Sequence, residues 1–483
     1  MSQLLKNVIP KTGRQVTRLG FGSYRVSQPL HAEALTAALE GGVNIIDTGN
    51  NFENGGSERL IGNTLDSLLK KGKLSRESIT LVTKSGYLGA ADIEPFNANE
   101  DYVQLTEKSF HSISPRVLEK QIESSLERLK TDKLDIFMIN SPERMMFSKN
   151  RRYTSSQLYK DLSLSFLYLD GLVKNGTIGG YGVCSNTLAL PAAADHISLT
   201  DIIKACPNPS NFVAAQVPFN LFEREAVVAS ENDERRTVAE IAKFKKENDI
   251  YLMTNRPLNA IAHGQIRVLT NHELGANGKG PAEHEIMSKM QASFEKVAKL
   301  ESDVMSELPV EEEALTAKFV WGQVLSENLA RLSQNHFATR HYLNNQVLPA
   351  LQKDLEHLDH FATELQNDQE LAAYQHWIED YRNSVTSLTK DIVDYAYIDT
   401  LRKNNELDRI LCALSPTLKD TPKDAYSPLS IKALRFLLSH TEVGTVFTGM
   451  RDPTYVKDAL FAAKQGLIDE EDIDDVWRCP IFN

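Results

Sequence analysis

Over the first 258 residues, short runs of β-branched and aliphatic residues alternate with longer stretches of helical period. The runs fall at 17–22, 43–47, 79–84, 134–140, 178–185, 212–218 and 250–255. Between them, 31–40, 57–71, 115–130 and 237–248 carry helical patterns. The runs are continuously apolar rather than alternating, which is the pattern of strands buried on both faces. Strand–helix alternation at this spacing predicts βαβ units and a parallel sheet.

The rhythm then stops, and no strand is expected from about 260 to 426. Apolar residues instead recur three or four apart, giving amphipathic helices. One stripe is Met290, Phe294, Val297, Leu300, Val304 and Leu308. A second is Leu351, Leu355, Leu358, Phe361 and Leu365, and a third is Trp377, Tyr381, Val385, Leu388 and Ile392. They predict a small bundle of roughly four or five helices. Gly275, Gly278, Gly280 and Pro281 form its entry loop, and Pro416, Pro422 and Pro428 mark its exit. The alternation returns with a helix over 427–438, a strand over 443–448 and a helix over 453–464. Eight such strands predict an α/β fold, a (β/α)8 TIM barrel. The α-helical bundle is then inserted between strand seven and its following helix. The expected domains are a barrel over 1–258 and 426–483 and a helical insertion over 259–425.

Composition narrows the function. Hydrophobic residues at 41% and charged residues at 24% make a globular balance. No apolar run approaches the roughly 18–20 residues of a membrane span. A net charge of −12 repels a phosphate backbone, which disfavours nucleic acid as a partner. Cys184, Cys206, Cys412 and Cys479 are scattered, with neither a disulfide framework nor a zinc spacing. No secretory signal opens the chain, so a cytoplasmic location is expected. His357 and His360, with Glu356 and Asp359, read as the solvated edge of a helix, and no metal site is expected.

In a barrel of this kind the active site lies at the C-terminal strand ends. Those ends carry Asp47, Lys84, Asn140, then Ser185 and Asn186, then Gln216. Strand seven runs into Arg256, Pro257 and Leu258, and strand eight into Thr448, Gly449, Met450 and Arg451. Polar residues from successive strands thus converge on one mouth.

These stretches resemble the aldo-keto reductase superfamily. The resemblance lies in Gly42-Val43-Asn44-Ile45-Ile46-Asp47-Thr48 with Gly55-Gly56-Ser57-Glu58-Arg59-Leu60-Ile61-Gly62, in Val82-Thr83-Lys84 and in Leu134-Asp135-Ile136-Phe137. It continues in Gly182-Val183-Cys184-Ser185-Asn186, in Gln216 with Phe219-Asn220-Leu221-Phe222-Glu223-Arg224, and in Val446-Phe447-Thr448-Gly449 with Pro453. The resemblance implies a catalytic Asp, Tyr, Lys and His. Asp47 and Lys84 match two of them, whereas Phe52 stands at the tyrosine position and Asn140 at the histidine position. It also implies an NADP (NADPH) site. Ser185, Asn186 and Gln216 would hold the carboxamide, and Arg256, Pro257 and Leu258 would cover the pyrophosphate. Thr448, Gly449, Met450, Arg451 and Tyr455 would lie along the nucleotide, with Arg451 placed for a 2′-phosphate. Asn255 replaces the ring expected beneath the nicotinamide, and Tyr455 and Ala459 replace the residues expected near the adenine.

The departures decide the chemistry. A phenyl ring has no O–H and cannot act as a general acid, and an asparagine amide does not titrate near neutrality. Lys84, Tyr24 or Tyr87 would have to take over proton donation. Two functions are therefore expected. One is an NADP-dependent oxidoreductase with an incomplete tetrad, acting on aldehyde, ketone or alcohol groups of a small carbonyl substrate. The alternative is a nicotinamide-binding pseudoenzyme, a scaffold or redox sensor whose helical insertion meets a protein partner. The aromatic residues Trp321, Tyr374, Trp377 and Tyr381 of that insertion are read as its core, and Cys184 as a small buried apolar group.

Overall fold

The computed structural model describes residues 3–228, 247–262, 265–270, 283–307, 319–362, 368–419 and 428–482. It begins with an antiparallel hairpin, β1 (Lys6–Val8) and β2 (Gln15–Thr17). The barrel strands follow: β3 (Leu19–Gly22), β4 (Ile45–Asp47) and β5 (Thr80–Ser85). A small antiparallel sheet interrupts them, with β6 (Tyr87–Gly89), β7 (Val103–Thr106) and β8 (Ser109–His111) in the order β6-β8-β7. The barrel resumes with β9 (Ile136–Asn140), β10 (Tyr181–Cys184), β11 (Phe212–Pro218) and β12 (Tyr251–Asn255). Two short strands, β13 (Asn259–Ala262) and β14 (Gln265–Val268), precede the long helices, and β15 (Thr445–Gly449) completes the set.

The eight strands β3, β4, β5, β9, β10, β11, β12 and β15 form a closed barrel in that order. Every neighbouring pair is parallel, and closure is made by Val446 beside Leu19 and Gly449 beside Gly22. The predicted (β/α)8 architecture therefore holds. Strands β4, β5, β9, β10 and β11 are buried along their whole length, which is why they read as unbroken apolar runs. The interior is filled by Ile45, Val82, Ile136, Met138, Ala214, Met253 and Phe447. Ile9 and Val16 join the same cluster. The N-terminal segment is tied to strand starts through Lys11 on the Phe212 carbonyl at 2.9 Å and Arg14 on Thr80 at 3.1 Å. The hairpin thus closes the end of the barrel at which the strands begin.

Close strand approach fixes one residue. A Cβ on Gly182 would stand 1.9 Å from the carbonyl oxygen of Ala214 on the paired strand. Only glycine lets β10 and β11 come together there.

The chain forms two compact units, 1–262 with 411–483, and 263–410. In the second, helices Glu283–Glu307, Trp321–Glu327, His336–Tyr342, Leu348–Ala362 and the long Asp368–Leu414 enclose a core. Val297, Leu325, Leu343, Leu355, Tyr381, Val385, Leu388 and Ile392 fill it. Trp377 stacks on Tyr381 at 4.9 Å, and Phe319 meets both edge-on. Within this unit, core packing accounts for these rings.

Three sequence expectations change. The run expected at 17–22 is divided between β2 and β3 at Arg18. Strands β13 and β14 stand where none was expected. Ala260 and Val268 are buried while Ile261 and Ile266 are exposed, so the two segments alternate over too few residues to register as strands. The segment 90–114, which contains none of the runs read as strands, contributes β7 and β8. Most of the expected helix 237–248 lies outside the described residues. So do Gly275, Gly278, Gly280, Pro281 and Pro422, and the side chains of Val304, Leu308, His357, Leu358, Asp359, His360, Phe361 and Leu365.

Replacing Gly182 by alanine should cost about 3 kcal/mol, because a backbone carbonyl cannot move away as a flexible side chain can. Urea unfolding of Gly182→Ala against the parent chain measures this, and a loss below about 0.5 kcal/mol would refute the close approach.

Candidate functional site

Parallel register brings the chemistry-bearing residues to one end of the barrel. Asp47 ends β4 beside Gly22, and Lys84 lies near the end of β5. Both are buried, and the Lys84 ammonium donates to Asp47 Oδ1. Gln216 on β11 donates its Nε2–H to the same oxygen at 2.9 Å. Gln216 Oε1 in turn accepts from the Cys184 thiol at 3.0 Å and from Asn255 Nδ2 at 3.2 Å. Strands β4, β5, β10, β11 and β12 are thereby joined through side chains.

The chain leaving β4 stays bonded to β5, with Thr48 N–H on the Val82 carbonyl and Asn50 N–H on the Lys84 carbonyl, each at 2.9 Å. That path delivers Phe52, whose ring centroid lies 5.3 Å from Lys84 Nζ. A ring face at that distance attracts the ammonium but offers it no proton acceptor. Glu53 and Asn54 then take left-handed backbone angles, φ 50 and 51, to turn the chain into the helix Gly56–Lys70. Tyr24 packs edge-on against Phe52 at 5.3 Å and is 61% exposed. Tyr87 packs instead on His111 at 5.0 Å.

Asn140 ends β9, and its backbone carbonyl accepts from His111 Nε2 at 2.8 Å. A carbonyl only accepts, so Nε2 carries a proton. Burial holds its pKa down to about 4, with the Arg144 charge acting in the same direction. His111 reaches this place from β8, the small sheet that follows β5. Gly86 makes room for it at φ 148, where a Cβ would fall 2.8 Å from both the Asn140 carbonyl and His111 Nε2.

At the end of β10, Cys184 faces Gln216. Successive residues of a strand point oppositely, so the Ser185 hydroxyl is turned to the other side, where it accepts from the Thr187 N–H at 3.1 Å. Asn186 donates its backbone N–H to Glu143 Oε1 at 3.3 Å. Glu143 is 1% exposed. Burial pushes its carboxyl up to about 7, against the opposing pull of the Ser185 hydroxyl, the Asn186 N–H and the Arg144 charge. Cys184, also buried, is pushed up to about 12.

Arg256 follows β12 with left-handed backbone, φ 56, and its guanidinium meets Glu223 Oε1 at 2.5 Å. Glu223 Oε2 accepts from Asn220 Nδ2 at 2.7 Å and from the Ile261 N–H at 3.0 Å. The loops after β11 and β12 are locked together by these contacts, with Pro257 buried and Leu258 half-buried. At the end of β15 Thr448 is buried and Gly449 exposed, and beyond it Met450 is buried while Arg451 and Tyr455 are exposed. Among the described residues no group of three or more His, Cys, Asp or Glu could hold a metal ion, and no helix is long and apolar enough to cross a membrane.

Glu143 and His111 were not anticipated. Glu143 had a signal, a charged residue closely following the end of a buried strand at Asn140-Ser141-Pro142-Glu143. His111 had none, because it arrives from a segment without periodicity.

The family model for the aldo/keto reductase family matches residues 17–385, and the chain belongs to that family. The match crosses β12, continues into the helical unit and stops before β15. Among curated proteins, the aldo-keto reductase YhdN of Bacillus subtilis is 24% identical over 225 residues, 45% of this chain and 54% of its own length. The aldo-keto reductase dtxS3 of Metarhizium robertsii is 28% identical over 205 residues, 40% of this chain and 47% of its own. The chain spans about half the length of these curated relatives. Among solved structures, the glycerol dehydrogenase AKR11B4 of Gluconobacter oxydans aligns over 99% of this chain and 96% of its own at 15% identity, with a TM-score of 0.49. An aldo-keto reductase of Klebsiella pneumoniae in complex with NADPH aligns over 53% and 67% at 17% identity, with a TM-score of 0.33.

Two outcomes follow from the buried charges. Asp47→Ala leaves a buried ammonium without its counter-charge and should cost roughly 3–5 kcal/mol in urea unfolding. Glu143 has a folded-state pKa above its ordinary value, so its ionisation opposes folding. Its contribution is fully present below about pH 4.5 and is lost as pH rises through about 7. Glu143→Gln should therefore stabilise the protein at pH 8 by about 2 kcal/mol and change little at pH 5. Equal effects at both pH values in thermal or urea unfolding would contradict a buried, titrating carboxyl.

Proposed function

We propose that the chain is an NADP(H)-dependent oxidoreductase of aldo-keto reductase type, acting on aldehyde, ketone or alcohol groups with an altered proton-transfer set. The observation that carries the reading is the buried Asp47–Lys84 pair, steadied by Gln216 at the C-terminal end of the barrel. A charged pair so removed from water is costly to keep, and catalytic mouths are where such pairs are found.

Unsatisfied polar atoms support a polar ligand. Ser23 Oγ, Thr48 Oγ1, Asn50 Oδ1, Ser85 Oγ, Glu143 Oε2, Asn255 Oδ1 and Arg256 Nε are buried without a hydrogen-bond partner. They lie at or just beyond the ends of β3, β4, β5, β9 and β12. Buried polar groups are normally paired, so a concentration of orphans around one mouth suits a ligand rich in donors and acceptors. A dinucleotide is such a ligand. Asn186 and Gln216 would hold the carboxamide, with Ser185 behind them, and Arg256 with the Pro257–Leu258 loop would lie by the pyrophosphate. Exposed Arg451 would meet a 2′-phosphate, where its planar fork binds two oxygens.

When bound, the reduced nicotinamide supplies a hydride to a carbonyl carbon. The chain's own part is to orient the carbonyl oxygen and deliver a proton to it. Asn140 donates an amide N–H, and Lys84 presents a positive charge that stabilises developing negative charge. Phe52 keeps water from the ammonium but holds no proton. Tyr24, edge-on to Phe52, is the nearest phenol that these contacts identify.

A second reading is a cofactor-binding scaffold with no turnover, whose helical unit meets a protein partner. The absence of an O–H at Phe52 favours it. NADPH titration of the full chain followed by a panel of aldehydes and ketones separates the two. Binding with turnover selects the oxidoreductase, binding without turnover selects the scaffold, and no binding rejects both. The double variant Phe52→Tyr with Asn140→His should raise the turnover number by about 10²-fold, with little change in NADPH affinity. If it binds NADPH as before and reduces nothing on the panel, the missing hydroxyl and imidazole are not the block.

A further inference from the structure

We propose that Glu143 links a proton to the redox state of the cofactor, favouring the oxidised, cationic nicotinamide when ionised and the reduced, uncharged one when neutral. The inference rests on the cofactor reading above and goes beyond it. It starts from placement. Glu143 lies in the turn Pro142–Phe147 just beyond β9. One carboxyl oxygen is engaged by the Asn186 N–H at 3.3 Å, and the other is buried with no hydrogen-bond partner. Ser185 and Asn186, which touch this carboxyl, are the residues assigned to the nicotinamide end. A carboxylate there faces the part of the cofactor whose charge changes by one unit between its two forms.

The charged and titratable neighbours can be named from each side. On its own turn stands Arg144, whose guanidinium lies 5.4 Å from the Phe147 ring. From β10 comes Cys184, at which the charges of Lys84, Asp47, Glu143 and Arg256 are all felt. From β8 comes His111, which feels Arg144 as well. Cys184 is a thiol and His111 an uncharged imidazole across pH 6 to 8.5, because burial moves them to about 12 and about 4. Glu143 is raised to about 7 and changes charge inside that window.

The linkage has a definite sign. A cationic ring beside the carboxyl favours its charged form, so the oxidised cofactor binds while Glu143 gives up its proton to solvent. No electron moves in this step. The neutral reduced ring leaves the proton where it is. The same geometry argues against Glu143 as proton donor to the carbonyl, since its contacts lie with Ser185 and Asn186 rather than with Phe52 and Lys84.

The test is binding of NADP+ and NADPH to the full chain between pH 6 and 8.5 by calorimetry. Both forms carry the same 2′-phosphate, so its titration cancels in the ratio of their dissociation constants. That ratio should shift toward NADP+ by roughly tenfold from the low to the high end of the range, the scale of one pKa unit of coupling. Calorimetry in two buffers of different ionisation enthalpy near pH 6.5 should show more proton release with NADP+ than with NADPH, the phosphate's own release being common to both. In Glu143→Gln both the shift and the difference in release should vanish, while both forms still bind. A pH-independent ratio, or one unchanged in the variant, overturns the inference and leaves the cofactor reading standing. Failure of both forms to bind at every pH overturns the two together.

Discussion

The mouth of the barrel is organised around one buried positive charge. Lys84 can keep its ammonium out of water only because Asp47 stands opposite on the next strand. That requirement extends outward. Asp47 also takes the Gln216 amide, Gln216 takes the Cys184 thiol and the Asn255 amide, and the strand ends are held by this relay as well as by their ladders. Phe52 completes the enclosure with a ring face rather than a hydroxyl. Electrostatics that would be weak in water are strong here because the neighbours are polar, fixed and dry.

On the proposed reading, the two halves of the site have been treated differently. The half around Ser185, Asn186 and Gln216 retains groups suited to a carboxamide. The half that would meet the carbonyl has lost both side chains able to exchange a proton near neutrality. His111 does not replace the missing imidazole, because its single N–H is spent on the Asn140 carbonyl. Its effect is to hold the end of β9, and so the base of Asn140, in place.

Much of the architecture was legible because a strand buried on both faces leaves an unbroken apolar run. Strands β4, β9, β10, β11 and β12 fall within runs read from the sequence, and β5 and β15 overrun theirs by one residue. Asp47 and Lys84 were legible because they end such runs. What escaped had weak local signals. In β7 only Val103 is fully buried, so four residues of mixed polarity carried no period. The contact of the Cys184 thiol with Gln216 was not read from the sequence, because which residue at the end of β10 faces β11 depends on the strand's register. The raised Glu143 carboxyl depends on what surrounds it, and two of its neighbours, Ser185 and Asn186, come from the segment just after β10, more than forty positions further along.

The position of β15 in the chain has a consequence for the newborn protein. Closure pairs Val446 with Leu19 and with Thr254, so the first seven strands leave the ribosome as an open sheet. Until the helical segment has been made, β3 and β12 remain edges with unpaired backbone groups, and such edges invite pairing with other chains. Synthesis at roughly 5–20 residues per second leaves that sheet open for on the order of ten seconds or more. The helical segment, able to build its own core in the interval, sets how long those edges stay open.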